Sequence, residues 1–213
     1  MIMLVEMTVK GFINEVDSNS PAPGGGSVSA LASSLGAALA GMVGHLTVGK
    51  KKFKALDEET QNQFNASFEK LVTLKEEFVV LVDKDTESFN LFMEAMALPK
   101  STDEEKAARK KAMEAGTLEA IKVPYRIAEA SLEALRELEV IVKNGNKNAA
   151  SDVGVGALLL HSGLEGAILN VKINLPGLSD EAVVNDFKEK VASLKAKALK
   201  IKESVIEQVE AKL

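Results

Sequence analysis

The chain of 213 residues has no cysteine, no tryptophan, a single tyrosine and two histidines, and each shortage removes a class of chemistry. Without cysteine there is no thiolate nucleophile, no disulfide and no Cys-ligated zinc or iron–sulfur cluster, and a reducing, cytoplasmic setting fits the composition. Two histidines make a poor zinc site, so no metal is expected. Aromatic residues amount to only 4%, which leaves few platforms for stacking bases. The net charge of −5, without a basic block, argues against nucleic acid as a partner, because phosphate neutralisation needs clustered Lys or Arg. Met1 to Glu6 hold no charged segment followed by a long apolar run, so no signal peptide is read there.

Hydrophobic residues make up 46% of the chain, enough for a core in one domain. From Ser18 to Gly49 there is no Asp, Glu, Lys or Arg. That stretch exceeds the ~20 apolar residues that span a bilayer, but Ala, Gly and Ser dominate it and insertion would gain little. It reads as a central buried helix, with Ala32, Gly36, Ala40 and Gly44 as a row of small residues that lets another helix approach closely.

Strand alternation is absent beyond a few residues, while period-3.6 patterns recur, so the chain is expected to be a single all-helical domain. A short helix spans Thr8 to Asp17. The Pro21-Ala22-Pro23-Gly24-Gly25-Gly26-Ser27 loop follows, with Ser27 or a neighbour capping the small-residue helix, which ends near Gly49. An amphipathic helix runs from about Asp57 to Ala97, stopped by Pro99. Ser101 with Glu104 and Thr102 with Glu105 offer capping boxes for a helix reaching Lys143, interrupted at Pro124 and ended by Asn144-Gly145. Ser151-Asp152 opens a second small-residue helix to about Ile173, and Ser179-Asp180 caps the last. Long helices with short joints predict a bundle around the two small-residue helices, and a homodimer.

Several features carry candidate chemistry. Gly44 to Lys51 nearly match a phosphate-binding loop, but Lys51 stands where Ser or Thr would bind the metal and no strand precedes it, so a helix end capped by Gly49 is the preferred reading. Gly24, Gly25 and Gly26 precede a helix start, where free N–H groups receive an anion or a polar ligand edge. Phe78, Val82, Asp85, Phe89, Phe92 and Met96 share one helix stripe. Asp85 is therefore a carboxylate among apolar groups, whose pKa rises unless a cation or N–H donors pair with it, while Asp83 faces elsewhere. Asn148, Ser151 and Asp152 cluster at the opening of the second small-residue helix, and Asn170 and Asn174 share a face at its far end. His45 and His161 read as packed, hydrogen-bonded imidazoles. Arg109, Lys110 and Lys111 read as a solvated face. Lys50, Lys51, Lys52 and Lys54 could attract a carboxylate-rich molecule.

In matching order from about Thr8 to the C-terminus, the Pro21–Ser27 loop, Gly49-Lys50-Lys51-Lys52-Phe53, Leu98-Pro99-Lys100, Asn148 with Ser151-Asp152-Val153-Gly154-Val155, and Asn170-Val171-Lys172-Ile173-Asn174-Leu175 resemble the cyclodeaminase/cyclohydrolase family. This is the family of the C-terminal domain of bifunctional formiminotransferase-cyclodeaminases; the present chain resembles the stand-alone form. The resemblance implies an all-helical homodimer or higher assembly acting on a tetrahydrofolate derivative in the cytoplasm, in histidine degradation, without a metal or redox cofactor. It implies conversion of 5-formiminotetrahydrofolate to 5,10-methenyltetrahydrofolate and ammonia, or hydrolysis of the methenyl compound. Joined to the residue reading, Asp85 and Asp152 are the expected proton-transfer or cation-stabilising carboxylates, with Lys100 or Lys51 as partners. Gly24, Gly25, Gly26 and Ser27 would line the pterin or carbon-transfer site. Lys50, Lys51 and Lys52 would meet the glutamate tail, and Asn148, Ser151, Asn170 and Asn174 would complete the binding set. A non-enzymatic helical interaction module is the alternative from another class. A substrate that supplies its own nucleophile also suits a chain so poor in catalytic side chains.

Overall fold

Four helices open on a side-chain cap, each of a type that accepts from the free N–H groups of a first helical turn. Thr8 caps α1 (Val9–Val16), Asp57 caps α4 (Glu58–Ala97), Thr102 caps α5 (Asp103–Asn144) and Asp180 caps α7 (Glu181–Glu210). The capping box forms with Thr102 and Glu105. The second expected box does not, because Glu105 also accepts from the N–H of Ser101, at 2.7 Å. The remaining helices, α2 (Gly25–Thr47), the short α3 (Lys51–Lys54) and α6 (Ala150–Asn174), start without a side-chain cap. These seven helices, with three short 3₁₀ turns, make up the fold of residues 3–213, the part that this computed structural model describes.

The expected all-helical bundle is the observed architecture. α2 packs on α6 and α4, α5 packs on α4 and α6, and α7 lies across α5 and α6. Phe64, Leu71, Leu74 and Phe78 of α4, Ile121, Ile127, Leu135 and Leu138 of α5, and Leu160, Leu164 and Ile168 of α6 are fully buried, each contributing about 1.5–3 kcal/mol by leaving water.

Small residues let α2 and α6 run antiparallel in close contact. The row that does this is Ser29, Ser33 and Gly36 facing Gly166, Gly163 and Gly156, rather than the expected Ala32, Gly36, Ala40 and Gly44. A Cβ on Gly36 would lie 2.8 Å from the Gly156 carbonyl oxygen, and one on Gly163 would lie 2.7 Å from that of Ser29. Ser33 also meets the Ser131 hydroxyl of α5 at 2.7 Å. Gly44, by contrast, faces the Phe68 ring of α4.

Contrary to the expected central burial, neither small-residue helix is buried on all sides. Both are long and apolar enough to cross a membrane by length and composition, and 61% and 50% of those windows are buried by helix packing. Val28, Leu35, Met42 and Leu46 of α2 and Val155, Leu158, Leu169 and Ile173 of α6 leave an open apolar face.

α5 is also not interrupted at Pro124 but runs through it. Proline lacks the N–H that would bond the carbonyl four residues back, and here that carbonyl, of Ala120, accepts from Asn174 Nδ2 of α6 at 3.0 Å. The defect in one helix is thus satisfied by the next. The phosphate-loop likeness ends as expected: α2 continues to Thr47, and Gly49 takes a left-handed φ of 78° behind it, a conformation glycine adopts without a Cβ penalty.

Candidate active site

The N-terminus of α2 and the middle of α4 meet at Asp85. The first backbone bond of α2 runs from Val28 N–H to the Gly24 carbonyl, at 3.1 Å, so the N–H groups of Gly25, Gly26 and Ser27 have no partner within the helix. Asp85 lies over this end. A Cβ at Gly26 would overlap its carboxylate, so glycine is what permits the approach. Ser27 is not the cap but the third residue of the helix. Its hydroxyl donates to the Val82 carbonyl oxygen at 2.7 Å and lies 3.3 Å from Asp85 Oδ2 and 3.2 Å from Thr86 Oγ1.

Two influences oppose each other at this carboxylate. Loss of water disfavours the charged form, while donors from Ser27 favour it, and the first dominates, so the Asp85 pKa stands above the ordinary aspartate value. Among the described residues no cation forms an ion pair with it. A desolvated carboxylate of raised pKa, without an ion-pair partner, is a candidate for taking and returning a proton. Asp83, two residues earlier, faces elsewhere and accepts from Leu4 N–H.

A cavity of about 240 Å³ adjoins this carboxylate, lined by Pro21, Ala22, Gly24, Gly25, Thr86, Ser88, Phe89, Ala120, Asn170, Ile173 and Asn174. Asn170 Nδ2 donates to the Gly166 carbonyl at 2.9 Å, and Asn174 Nδ2 to those of Ala120 and Asn170 at 3.0 and 2.9 Å. Both N–H groups of the Asn174 amide are thus committed to backbone, leaving its oxygen as an acceptor, while Asn170 keeps one N–H and its oxygen. The site therefore combines a desolvated carboxylate, a helix N-terminus and two asparagine side chains. Among the described residues no three His, Asp or Glu side chains converge as a metal site would require.

The structure divides the remaining expected residues from this cavity. Lys50, Lys51, Lys52 and Asn148 line a separate cavity of about 530 Å³, together with Lys143 and Lys147, at the opposite end of α2. Ser151 is exposed and Asp152 half-buried in the first turn of α6, and the 18 residues from Asp152 to Asn170 place them ~27 Å apart. One chain thus brings together Gly24, Gly25, Gly26, Ser27, Asp85, Asn170 and Asn174, and keeps Lys50, Lys51, Lys52, Asn148, Ser151 and Asp152 apart from them. Lys100 lies on the near side, in a cavity adjoining that of Asp85.

Thr86, Ser88 and the Ala120 carbonyl were not singled out in the sequence; Pro124, four residues on, was the available signal for the last. Lys110 and Lys111 are exposed, as expected of a solvated face, and Arg109 is half-buried, its Nε donating to the Met96 carbonyl at 3.0 Å; Arg109 and Lys110 also line the Lys100 cavity. His45 is exposed and packs edge-on against Phe68. His161 is largely buried, but its Nε2 is 3.9 Å from Glu165 and makes no hydrogen bond. Burial holds its pKa below the usual histidine value, and the ring is packed but lacks the expected hydrogen bond. Glu165 instead pairs with Lys195 at 2.7 Å.

Relatives share the fold and about a third of the sequence. A formiminotetrahydrofolate cyclodeaminase from Thermotoga maritima superposes with a TM-score of 0.84 over 97% of each chain, at 28% identity. A methenyltetrahydrofolate cyclohydrolase from Methylorubrum extorquens is 35% identical over 206 residues, 97% of each chain. Chicken formimidoyltransferase-cyclodeaminase is 39% identical over 191 residues, which are 90% of this chain and 35% of that protein. The chain thus spans about a third of the bifunctional relatives it matches. Residues 8–193 match the family model described as formiminotransferase-cyclodeaminase, and with relatives of this similarity over nearly its whole length, the chain belongs to that family.

Proposed function

We propose that the protein is a folate one-carbon enzyme that converts 5-formiminotetrahydrofolate to 5,10-methenyltetrahydrofolate and ammonia, with Asp85 as its proton-transfer group. The observation that carries this reading is the desolvated Asp85 carboxylate, without an ion-pair partner, over the α2 N-terminus, beside a cavity lined by two asparagines. The folate N10 lone pair attacks the carbon of the protonated formimino group, a C–N bond forms, and the C=N pair moves onto the terminal nitrogen. Asp85 takes the proton from N10 and returns it to that nitrogen. The C–N bond to the nitrogen then breaks, ammonia leaves, and N5 supplies the electrons of the methenyl double bond. The substrate brings its own nucleophile, so the protein supplies orientation and proton transfer, with no metal or redox cofactor in the scheme, and acts in the cytoplasm. The enzyme works as a homodimer joined through the open α2/α6 face, where eight large aliphatic side chains stand exposed.

A second reading, hydrolysis of the methenyl compound, draws on the Methylorubrum relative and on the same tetrahedral carbon between N5 and N10. One experiment separates the two. Purified protein is mixed with each compound and methenyl absorbance is followed against the spontaneous rate. Faster appearance from the formimino substrate supports cyclodeamination, faster loss of the methenyl compound supports hydrolysis, and no change in either overturns the folate reading. For the dimer, Leu35→Glu with Leu158→Glu gives a monomer by analytical ultracentrifugation; an unchanged mass overturns that interface.

A further inference from the structure

Two hydroxyls stand beside Asp85, that of Ser27 on α2, which is fully buried, and that of Thr86 on α4, half-buried at the cavity wall. The Ser27 oxygen has three oxygen neighbours: the Val82 carbonyl at 2.7 Å, Thr86 Oγ1 at 3.2 Å and Asp85 Oδ2 at 3.3 Å. A hydroxyl has one hydrogen to give and two lone pairs that receive, so Ser27 cannot donate to all three. Val82 is the nearest acceptor, and the hydrogen lies there.

Two arrangements satisfy these groups, one for each charge state of Asp85. While Asp85 holds its proton, its O–H donates to Ser27 Oγ and Ser27 donates to the Val82 carbonyl. Once the proton has left, the contact between Asp85 and the Ser27 hydroxyl stays bonded only if the Ser27 hydrogen turns from Val82 to Oδ2. The Val82 carbonyl then keeps the bond that the continuous helix α4 gives it from Thr86 N–H, and the vacated lone pair of Ser27 Oγ receives the Thr86 hydroxyl hydrogen. A hydroxyl that accepts a hydrogen bond donates a stronger one, so Thr86 supports the charged carboxylate through Ser27. From α2, α5 and α6 the surroundings of Asp85 bring Gly25, Ser27, Ala120, Asn170 and Asn174, none of which titrates. On α4 itself Asp83 accepts from Leu4 N–H, and Lys84 and Glu87 are exposed.

We infer that Thr86 is a positioning residue for the proposed reaction: with Ser27 it forms a pair of hydroxyls whose hydrogens turn as Asp85 loses and regains its proton, so that acid and carboxylate are held in one place. The inference rests on Asp85 as the proton-transfer group. The transferred proton moves only between Asp85 and the substrate, while Ser27 and Thr86 keep their own hydrogens and rotate about their C–O bonds. Donors already in place where charge develops spare the reorganisation that water would undergo.

The test follows turnover of 5-formiminotetrahydrofolate against pH and, without substrate, the titration of the Asp85 carboxyl carbon by NMR. Thr86→Val keeps the shape of the side chain and drops its hydroxyl. It is expected to lower kcat about tenfold with KM unchanged, as for a lost hydrogen bond that supports a charge, and to move the Asp85 titration to higher pH, because the charged form loses support. Thr86→Ser is expected to restore both. Thr73→Val removes a hydroxyl from an exposed position of the same helix, where it donates to the Glu69 carbonyl at 3.0 Å, and is expected to change neither. Should Thr86→Val fail to fold by circular dichroism, Thr86→Ala makes the same comparison. An unmoved titration or an unchanged kcat on loss of the Thr86 hydroxyl, or a Thr86→Ser variant as impaired as Thr86→Val, overturns the hydroxyl pair and leaves the folate reading standing. No turnover by the wild type overturns the folate reading, and the NMR titration then decides the hydroxyl pair alone.

Discussion

The two ends of α2 are built from opposite materials. At its start, the helix N-terminus meets one carboxylate that has lost its water, beside a cavity that two asparagines also line. At its finish, the C-terminal ends of α2 and α5 gather Lys50, Lys51, Lys52, Lys143 and Lys147 around a cavity lined by no acid, where cations complement the helix dipoles. The first end holds a charge in an environment that resists it; the second holds charges where helix ends and water both favour them. Burial moves the first end's carboxylate away from its ordinary ionisation, in the direction that suits proton transfer. The lysine end offers attraction without reactivity.

Substitutions can break this contrast. Asp85→Asn is expected to lower kcat by about 10²–10⁴-fold, the range of a lost acid/base, with the fold intact by circular dichroism; wild-type turnover would remove the basis for separating the ends. Gly26→Ala pushes a Cβ into the same carboxylate and is expected to cost about 10²-fold in turnover, as a displacement of about 1 Å does. Gly41→Ala in the same helix, where a Cβ meets nothing within 4 Å, is expected to leave turnover unchanged and to stabilise by up to about 1 kcal/mol. Equal losses from both would show that helix propensity, not approach to Asp85, is what the glycines provide.

Stability sharpens the same contrast. A carboxylate whose native pKa is raised makes the native state bind more protons, so wild-type stability falls as pH rises from the unfolded value of about 3.9 through the native one. Asp85→Asn removes that fall. Its Tm is expected to match wild type near pH 4 and to exceed it by roughly 2–4 °C at pH 8, the shift of about 1 kcal/mol in a chain of this size; the opposite pH trend in calorimetry would mean the donors of Ser27 outweigh desolvation. The smallest effect is expected at the far end. Asp152→Asn should change kcat by at most about fivefold, the worth of a partly exposed charge; a loss as deep as that of Asp85→Asn would show that the partner's lysine end completes the site.

Much of the fold was legible because helix starts are local. Thr102 with Glu105, Asp57 and Asp180 carry their capping partners within three residues. Asp85 was legible for a related reason, since its place on an apolar stripe follows from spacing alone. The separation of Asp85 from Asp152 was not, because it depends on α2 and α6 running antiparallel, and both ends of each small-residue helix look equally suited to a ligand. Arg109 was hidden likewise: its anchor is a carbonyl thirteen residues back, across a turn. The open apolar face escaped notice because Val28, Leu35 and Leu158 are the same residue types as those that pack inside, and only their partners, not their chemistry, tell them apart.

Pro124 acts as an indexing notch. A continuous helix presents a uniform ladder along which a neighbouring helix can settle at several rotations; one vacant carbonyl makes a single rotation better than the others. Asn174 is the pin that drops into it, and because Asn170 sits one turn away on the same face, the angular setting of the cavity wall is fixed by a residue that does not line the cavity.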